Sequence, residues 1–84
     1  MSDQLMVKSR LQYLIDQQNI ARLQSGQKVQ SMRQLSKESG IPASVLGGLA
    51  SDSVKRVDFD TLDRLCRFFV CTPGDILTYT PDNS

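Results

Sequence analysis

The chain has 84 residues, 39% of them hydrophobic and 23% charged, with ten Lys and Arg against nine Asp and Glu for a formal net charge of +1. That balance belongs to a globular domain rather than a disordered chain, and at this length one small core and a single domain over residues 1–84 are expected. No run approaches the roughly 18 apolar residues of a membrane span, and the polar start MSDQ lacks the features of a signal peptide, so a cytoplasmic protein without membrane contact is expected.

Charge is unevenly spread along the chain. Residues 1–37 carry Lys8, Arg10, Arg22, Lys28, Arg33 and Lys37 against Asp3 and Asp16, a balance of +4. Residues 38–84 carry Lys55, Arg56, Arg64 and Arg67 against seven carboxylates, a balance of −3. Such asymmetry can mark a surface that meets a polyanion, although a solvated helix face accounts for many single charges.

In chain order, Val7, Leu11, Leu14 and Ile15 fall at i, i+4, i+7 and i+8 and predict an amphipathic first helix. Ile20 and Leu23 project to the side opposite that stripe. Either the helix breaks near Asn19, or it runs to a stop at Gly26 and offers a second apolar face. Ser31 and Gln34 form a capping-box pattern that starts a second helix over about Met32 to Ser39, with Met32 and Leu35 inward and Gly40 as its stop. Pro42 then suits the first turn of a third helix, IPASVLGGLA, whose apolar side is Val45, Leu46 and Leu49. Two short helices joined by a tight glycine-containing turn describe a helix-turn-helix over about residues 31–51. The adjacent Gly47 and Gly48 give up roughly 1 kcal/mol each relative to alanine, which calls for an explanation.

After the polar SDSVKR, Asp58 or Asp60 can cap a fourth helix in which Leu62, Leu65, Cys66 and Phe69 repeat at i, i+3, i+4 and i+7. Cys66 and Cys71 are the only cysteines and there is no histidine, too few groups for the roughly four ligands of a structural zinc site. Extrapolated along a helix at about 1.5 Å per residue, the two lie about 7 Å or more apart, too far for an easy disulfide, and they read as small apolar residues. Thr72, Pro73 and Asp75 start a short fifth helix through Ile76 and Leu77 toward Tyr79, stopped by Pro81, with a tail over 80–84. No useful period-2 pattern occurs, so the expected class is all-α. With no histidine and no phosphate-cradling glycine loop, neither enzyme chemistry nor a cofactor, metal or small-molecule substrate is expected.

The order of elements, and the run SMRQLSKESGIPASVLGGLASDSVKRVDFDTLDRLCRFFVCTPGDIL, resemble the DNA-binding domain of Cro/repressor-type helix-turn-helix regulators, the XRE family, over about residues 7–79. KRVDFDTLDRLC followed by CTPGDIL looks like a branch of very small, single-domain bacterial members. The resemblance implies a compact, five-helix, lambda-repressor-like domain that binds double-stranded DNA and regulates transcription. In that family the second helix crosses the DNA backbone and the third enters the major groove, which assigns Ala43, Ser44, Gly47 and Gly48 to the groove. Helical projection independently places these four opposite Val45, Leu46 and Leu49. None of them is an Arg, Lys, Asn or Gln, the main readers of base edges. The glutamine that often takes the second position of the second helix is replaced here by Met32.

Phosphate contacts are expected from Lys28, Gln30, Arg33, Gln34 and Lys37 around the second helix, and from Ser53, Lys55 and Arg56 after the third. Sequence preference would then come from DNA shape, with Ala43 meeting thymine methyls. The alternative is a protein-interaction module on the same scaffold, using the side-chain-poor face together with Ile20 and Leu23. Those two residues can equally fold back on the core. A homodimer stays open as well, since two-fold proteins suit palindromic operators.

Overall fold

The structure, a computed structural model, describes residues 7–80. Five helices follow one another, flanked by two short strands. The first strand, β1 (Val7–Ser9), pairs antiparallel with the last, β2 (Leu77–Tyr79), in the register Val7 to Tyr79, Lys8 to Thr78 and Ser9 to Leu77. The all-α expectation is corrected to this extent. Val7 shares the helical phase of Leu11, Leu14 and Ile15, yet the helix does not begin there: α1 is Leu11–Gln24. Arg10 precedes it as N-cap without a side-chain bond of its own, and the Ser9 hydroxyl accepts the Leu11 N–H at 3.2 Å.

α1 runs past Asn19 without a break and stops at Gly26, whose φ of 80° is readily adopted only without a Cβ. The Gly26 amide donates to the Leu23 carbonyl at 3.1 Å and the Gln27 amide to the Arg22 carbonyl at 2.7 Å, closing a Schellman motif. Ile20 and Leu23 do not fold back on the core; they remain 47% and 60% exposed.

α2 (Met32–Ser39) and α3 (Ala43–Ala50) meet through Gly40 and the fully buried Ile41. At the start of α2 the Ser31 hydroxyl accepts the Gln34 N–H at 3.2 Å, and the Gln34 side-chain carbonyl accepts the Ser31 N–H at 3.2 Å. Gly40, at φ 77°, ends the helix. α4 (Phe59–Phe69) is capped by Asp58, which accepts the Thr61 N–H at 3.0 Å. α5 is a single turn, Pro73–Ile76, and Leu77 is already extended, so the fifth helix stops short of the expected Leu77 and Tyr79. The stop expected at Pro81, and the tail beyond Thr80, lie outside the described residues.

Leu11, Ile15, Leu35, Ile41, Leu46, Leu49, Leu65 and Ile76 form one core. Every helix contributes to it, and the half-buried Met32, Val45, Leu62, Cys66 and Phe69 pack around it. α2 packs on α3 and α4, and α1 packs on α3. Val70 turns the chain into the left-handed region at φ 53°. That reversal returns the Cys71 amide to the Cys66 carbonyl at 3.0 Å, so Cys71 lies off the line of α4. Both cysteines are free, and burial chiefly, then Cys66, pushes the Cys71 thiol pKa up. Among the described residues no helix is long and apolar enough to cross a membrane.

Candidate nucleic-acid interface

α2 and α3 are held at a fixed angle by their turn. The Ser36 hydroxyl donates to the Ile41 carbonyl at 2.6 Å, and the Ser39 hydroxyl accepts the Ile41 N–H at 3.3 Å. Ile41 itself is anchored in the core, and from α4 the Arg64 guanidinium donates to the Gly40 carbonyl at 3.4 Å. Leu46 and Leu49 seat α3 in the core at 1% and 2% exposure, which leaves Ala43 and Ser44 in solvent. Pro42 stands one position earlier than expected, as the residue before the first turn, where its carbonyl accepts the N–H groups of Val45 and Leu46.

The two glycines differ. A Cβ at Gly47 would meet nothing within 4 Å, so the outer face of α3 is open there. A Cβ at Gly48 would lie 2.6 Å from Val54 Cγ1. Gly48 is bare because the chain after α3 folds across it, and its expected place on a free groove face is corrected accordingly.

That chain is built tightly. Asp52 takes φ 58°, the Asp52 amide donates to Leu49 at 3.1 Å and the Ser53 amide to Gly48 at 2.9 Å, again a Schellman pattern. The Ser53 hydroxyl lies 2.9 Å from the Ser51 hydroxyl and donates to the Gly48 carbonyl at 3.3 Å. A hydroxyl carries one proton, so Ser53, expected to donate to phosphate, is engaged in forming its own loop. Asp52 ties the end of α3 to β1 by accepting the Ser9 N–H at 2.9 Å, with Lys8 Nζ at 3.9 Å.

Gln30 also departs from expectation. It is 7% exposed, its amide donates to Asn19 at 2.9 Å and its side-chain NH₂ to Glu38 at 2.7 Å. It joins α1 to α2 from inside instead of facing a phosphate. The remaining expected contacts stand in solvent: Lys28, Arg33, Gln34 and Lys37 around α2, and Lys55 and Arg56 after α3. Gln34 uses its carbonyl oxygen in the capping box, leaving its NH₂ as the donating end. Arg33 and Lys37 are four residues apart and share a helix face.

Ion pairing distinguishes the cations of α4 from those beside the helix-turn-helix. Arg64 pairs with Asp60 at 2.9 Å and Arg67 with Asp63 at 3.0 Å, both one turn apart on α4. Lys28, Arg33, Lys37, Lys55 and Arg56 have no ion-pair partner among the described residues. Arg10 and Arg22 at the two ends of α1 also have none, so five of the seven unpaired cations among the described residues lie on or beside the helix-turn-helix, whereas both cations of α4 are paired. Sequence spacing alone contained the α4 pairs as i,i+4 acid–base couples. It contained no sign of Gln30's burial, which depends on Asn19 and Glu38 arriving from two helices.

Comparison with known proteins agrees with this geometry. A model of the Cro/C1-type helix-turn-helix DNA-binding domain matches residues 19–82, about three quarters of the chain. A protein of Bacillus subtilis (strain 168), named an uncharacterized HTH-type transcriptional regulator, YozG, is 36% identical over 52 residues. The aligned stretch covers 62% of this chain and 62% of that relative. No solved structure matches.

Proposed function

Since the chain belongs to the Cro/C1-type helix-turn-helix DNA-binding family, we propose that it is a transcription regulator that binds duplex DNA mainly through phosphates and duplex shape. α2 lies along the backbone, with Lys28, Arg33, Gln34 and Lys37 on phosphates. α3 enters the major groove with Ala43, Ser44 and Gly47 foremost, and Lys55 and Arg56 hold the backbone beyond it. The observation that carries this reading is the separation of charge: the cations beside the helix-turn-helix lack carboxylate partners, whereas those of α4 are paired. An α3 surface without Arg, Lys, Asn or Gln offers little direct base readout, so preference falls to groove shape and deformability.

Binding of fluorescent duplexes across a salt series tests it. Affinity should fall with salt at about −0.9 in log K per log salt for each phosphate contacted. Arg33→Ala and Lys55→Ala should each weaken binding to every sequence and reduce that slope by about 1. Absence of duplex binding at about 50 mM salt, where the electrostatic contribution is strong, would reject the reading.

One observation favours a second reading, a protein-interaction role. Ile20, Leu23 and Val29 are 47%, 60% and 51% exposed at the far end of α1 and in the chain leading to α2. An apolar cluster of this kind suits a second copy or another protein, and it is compatible with DNA binding by a dimer.

A further inference from the structure

A groove of about 320 Å³ opens between the β1–β2 sheet and the chain that follows α3. Buried Leu49 closes its bottom, half-buried Val54, Val57 and Leu77 form its walls, and the more exposed Val7 and Tyr79 stand at its mouth. Three cations line the same groove, Lys8, Lys55 and Arg56, against one carboxylate, Asp52. Asp52 is already committed: its Oδ1 accepts the Ser9 N–H and its Oδ2 faces Lys8. Lys55 and Arg56 are thus left at an apolar cavity with no counter-charge among the described residues.

We propose that this groove binds a small amphipathic carboxylate, its apolar body between the valines and the sheet and its carboxylate on Arg56 and Lys55. The volume lies at the lower end of the about 300–1,000 Å³ typical of small-molecule sites, which combine apolar walls with a few convergent polar groups. Guanidinium matches a carboxylate with two parallel hydrogen bonds, and Lys55 adds a second positive charge. A neutral apolar ligand would fill the walls but leave both cations unanswered; a cation would be repelled. The groove is also small for a protein partner, whose footprint is about 800 Å² on each side.

The site has a regulatory consequence, which rests on the DNA-binding reading. Lys55 and Arg56 cannot serve a ligand carboxylate and DNA phosphates together at full strength, so ligand and duplex oppose each other, reciprocally. Val54, a wall of the groove, also packs on Gly48 of α3, so a bound ligand presses on the element that supports the DNA-facing helix.

Decanoate, kept below its micelle concentration, is titrated into the DNA-free 84-residue protein by calorimetry and amide NMR, with decanol as the uncharged control. Saturable 1:1 binding is expected, with shifts centred on residues 54–57 and 77–79. Lys55→Gln with Arg56→Gln should weaken it at least tenfold, and decanol should bind at least tenfold more weakly than decanoate. Tyr79→Glu, which places a carboxylate at the mouth on an exposed residue, should also abolish decanoate binding. Decanoate should weaken duplex binding by the native protein and not by the Tyr79→Glu variant. Lack of saturable binding, equal affinity for decanoate and decanol, or equal binding by both variants would overturn the proposal. So would a doubled mass of the ligand-free protein that Tyr79→Glu reverts, because the groove would then hold a second copy. If the protein binds no DNA, the DNA-free titration still decides the carboxylate site.

Discussion

At position 47 an added methyl group would enter open space, whereas at 48 it would press on Val54 Cγ1 at 2.6 Å. The same substitution therefore has opposite expected signs. Gly47→Ala gains helix propensity and should stabilise the free protein by up to about 1 kcal/mol. Gly48→Ala meets a short, branched side chain that cannot swing away, and overpacking of this kind costs about 1–3 kcal/mol, so a net loss is expected. Denaturant unfolding of the two variants measures both. Gly47→Ala should also weaken duplex binding if α3 approaches the groove closely; unchanged affinity would remove close approach as the reason for that glycine. From the sequence the two residues are indistinguishable, since both project to the outer face of one helix. They differ because a loop returns across one of them. Gln30 teaches the same point: a polar residue among basic ones reads as surface until Asn19 and Glu38 are seen to enclose it.

Elements were the most legible level, because their ends are fixed by local chemistry. Ser31 with Gln34, Gly26, Gly40 and Asp58 each do locally what their residue types imply. Two of these devices carry a titratable group. Hydrogen bonds from the Thr61 side chain and amide hold the Asp58 carboxyl below its ordinary value of 3.8. Bonds from the Thr72 amide and hydroxyl do the same for Asp75 at the start of α5. A carboxyl with a lowered native pKa stabilises the fold fully above its unfolded value, and that contribution is lost as pH falls through the native value. Thermal melting should therefore show a decline in stability beginning near pH 3.8 and continuing below it. Asp58→Asn with Asp75→Asn keeps acceptors at both positions but removes the titration, so its acid decline should be shallower. An unaltered acid profile would mean that other carboxylates govern it. The elements that escaped notice are the strands. Three residues are too few to display a period, and Val7 happens to fall in phase with the helix that follows.

Across the whole molecule, the β1–β2 pair clamps the two ends of the described chain together, reinforced by the Arg10 amide on the Ile76 carbonyl at 2.6 Å. This closure forms one side of the apolar groove beside Lys55 and Arg56, and Ile20 and Leu23 of α1 stay uncovered. Because both are exposed, Ile20→Glu with Leu23→Glu should change unfolding free energy by no more than about 0.5 kcal/mol for each substitution. If the patch is an interface, the same variant should lose the dimer or partner complex; an unchanged mass by light scattering and an unchanged pull-down would assign the patch no such role. The sequence by itself determined the order of the five helices, the helix-turn-helix and the ends set by Ser31, Gly26, Gly40 and Asp58, since each follows from periodicity or from hydrogen bonds spanning a few residues. Only the tertiary structure decided that Gly48 and Gln30 are enclosed, that the chain ends pair as strands and that two unpaired cations share an apolar groove. Those features arise between segments far apart in the chain, where no local pattern records which groups will meet.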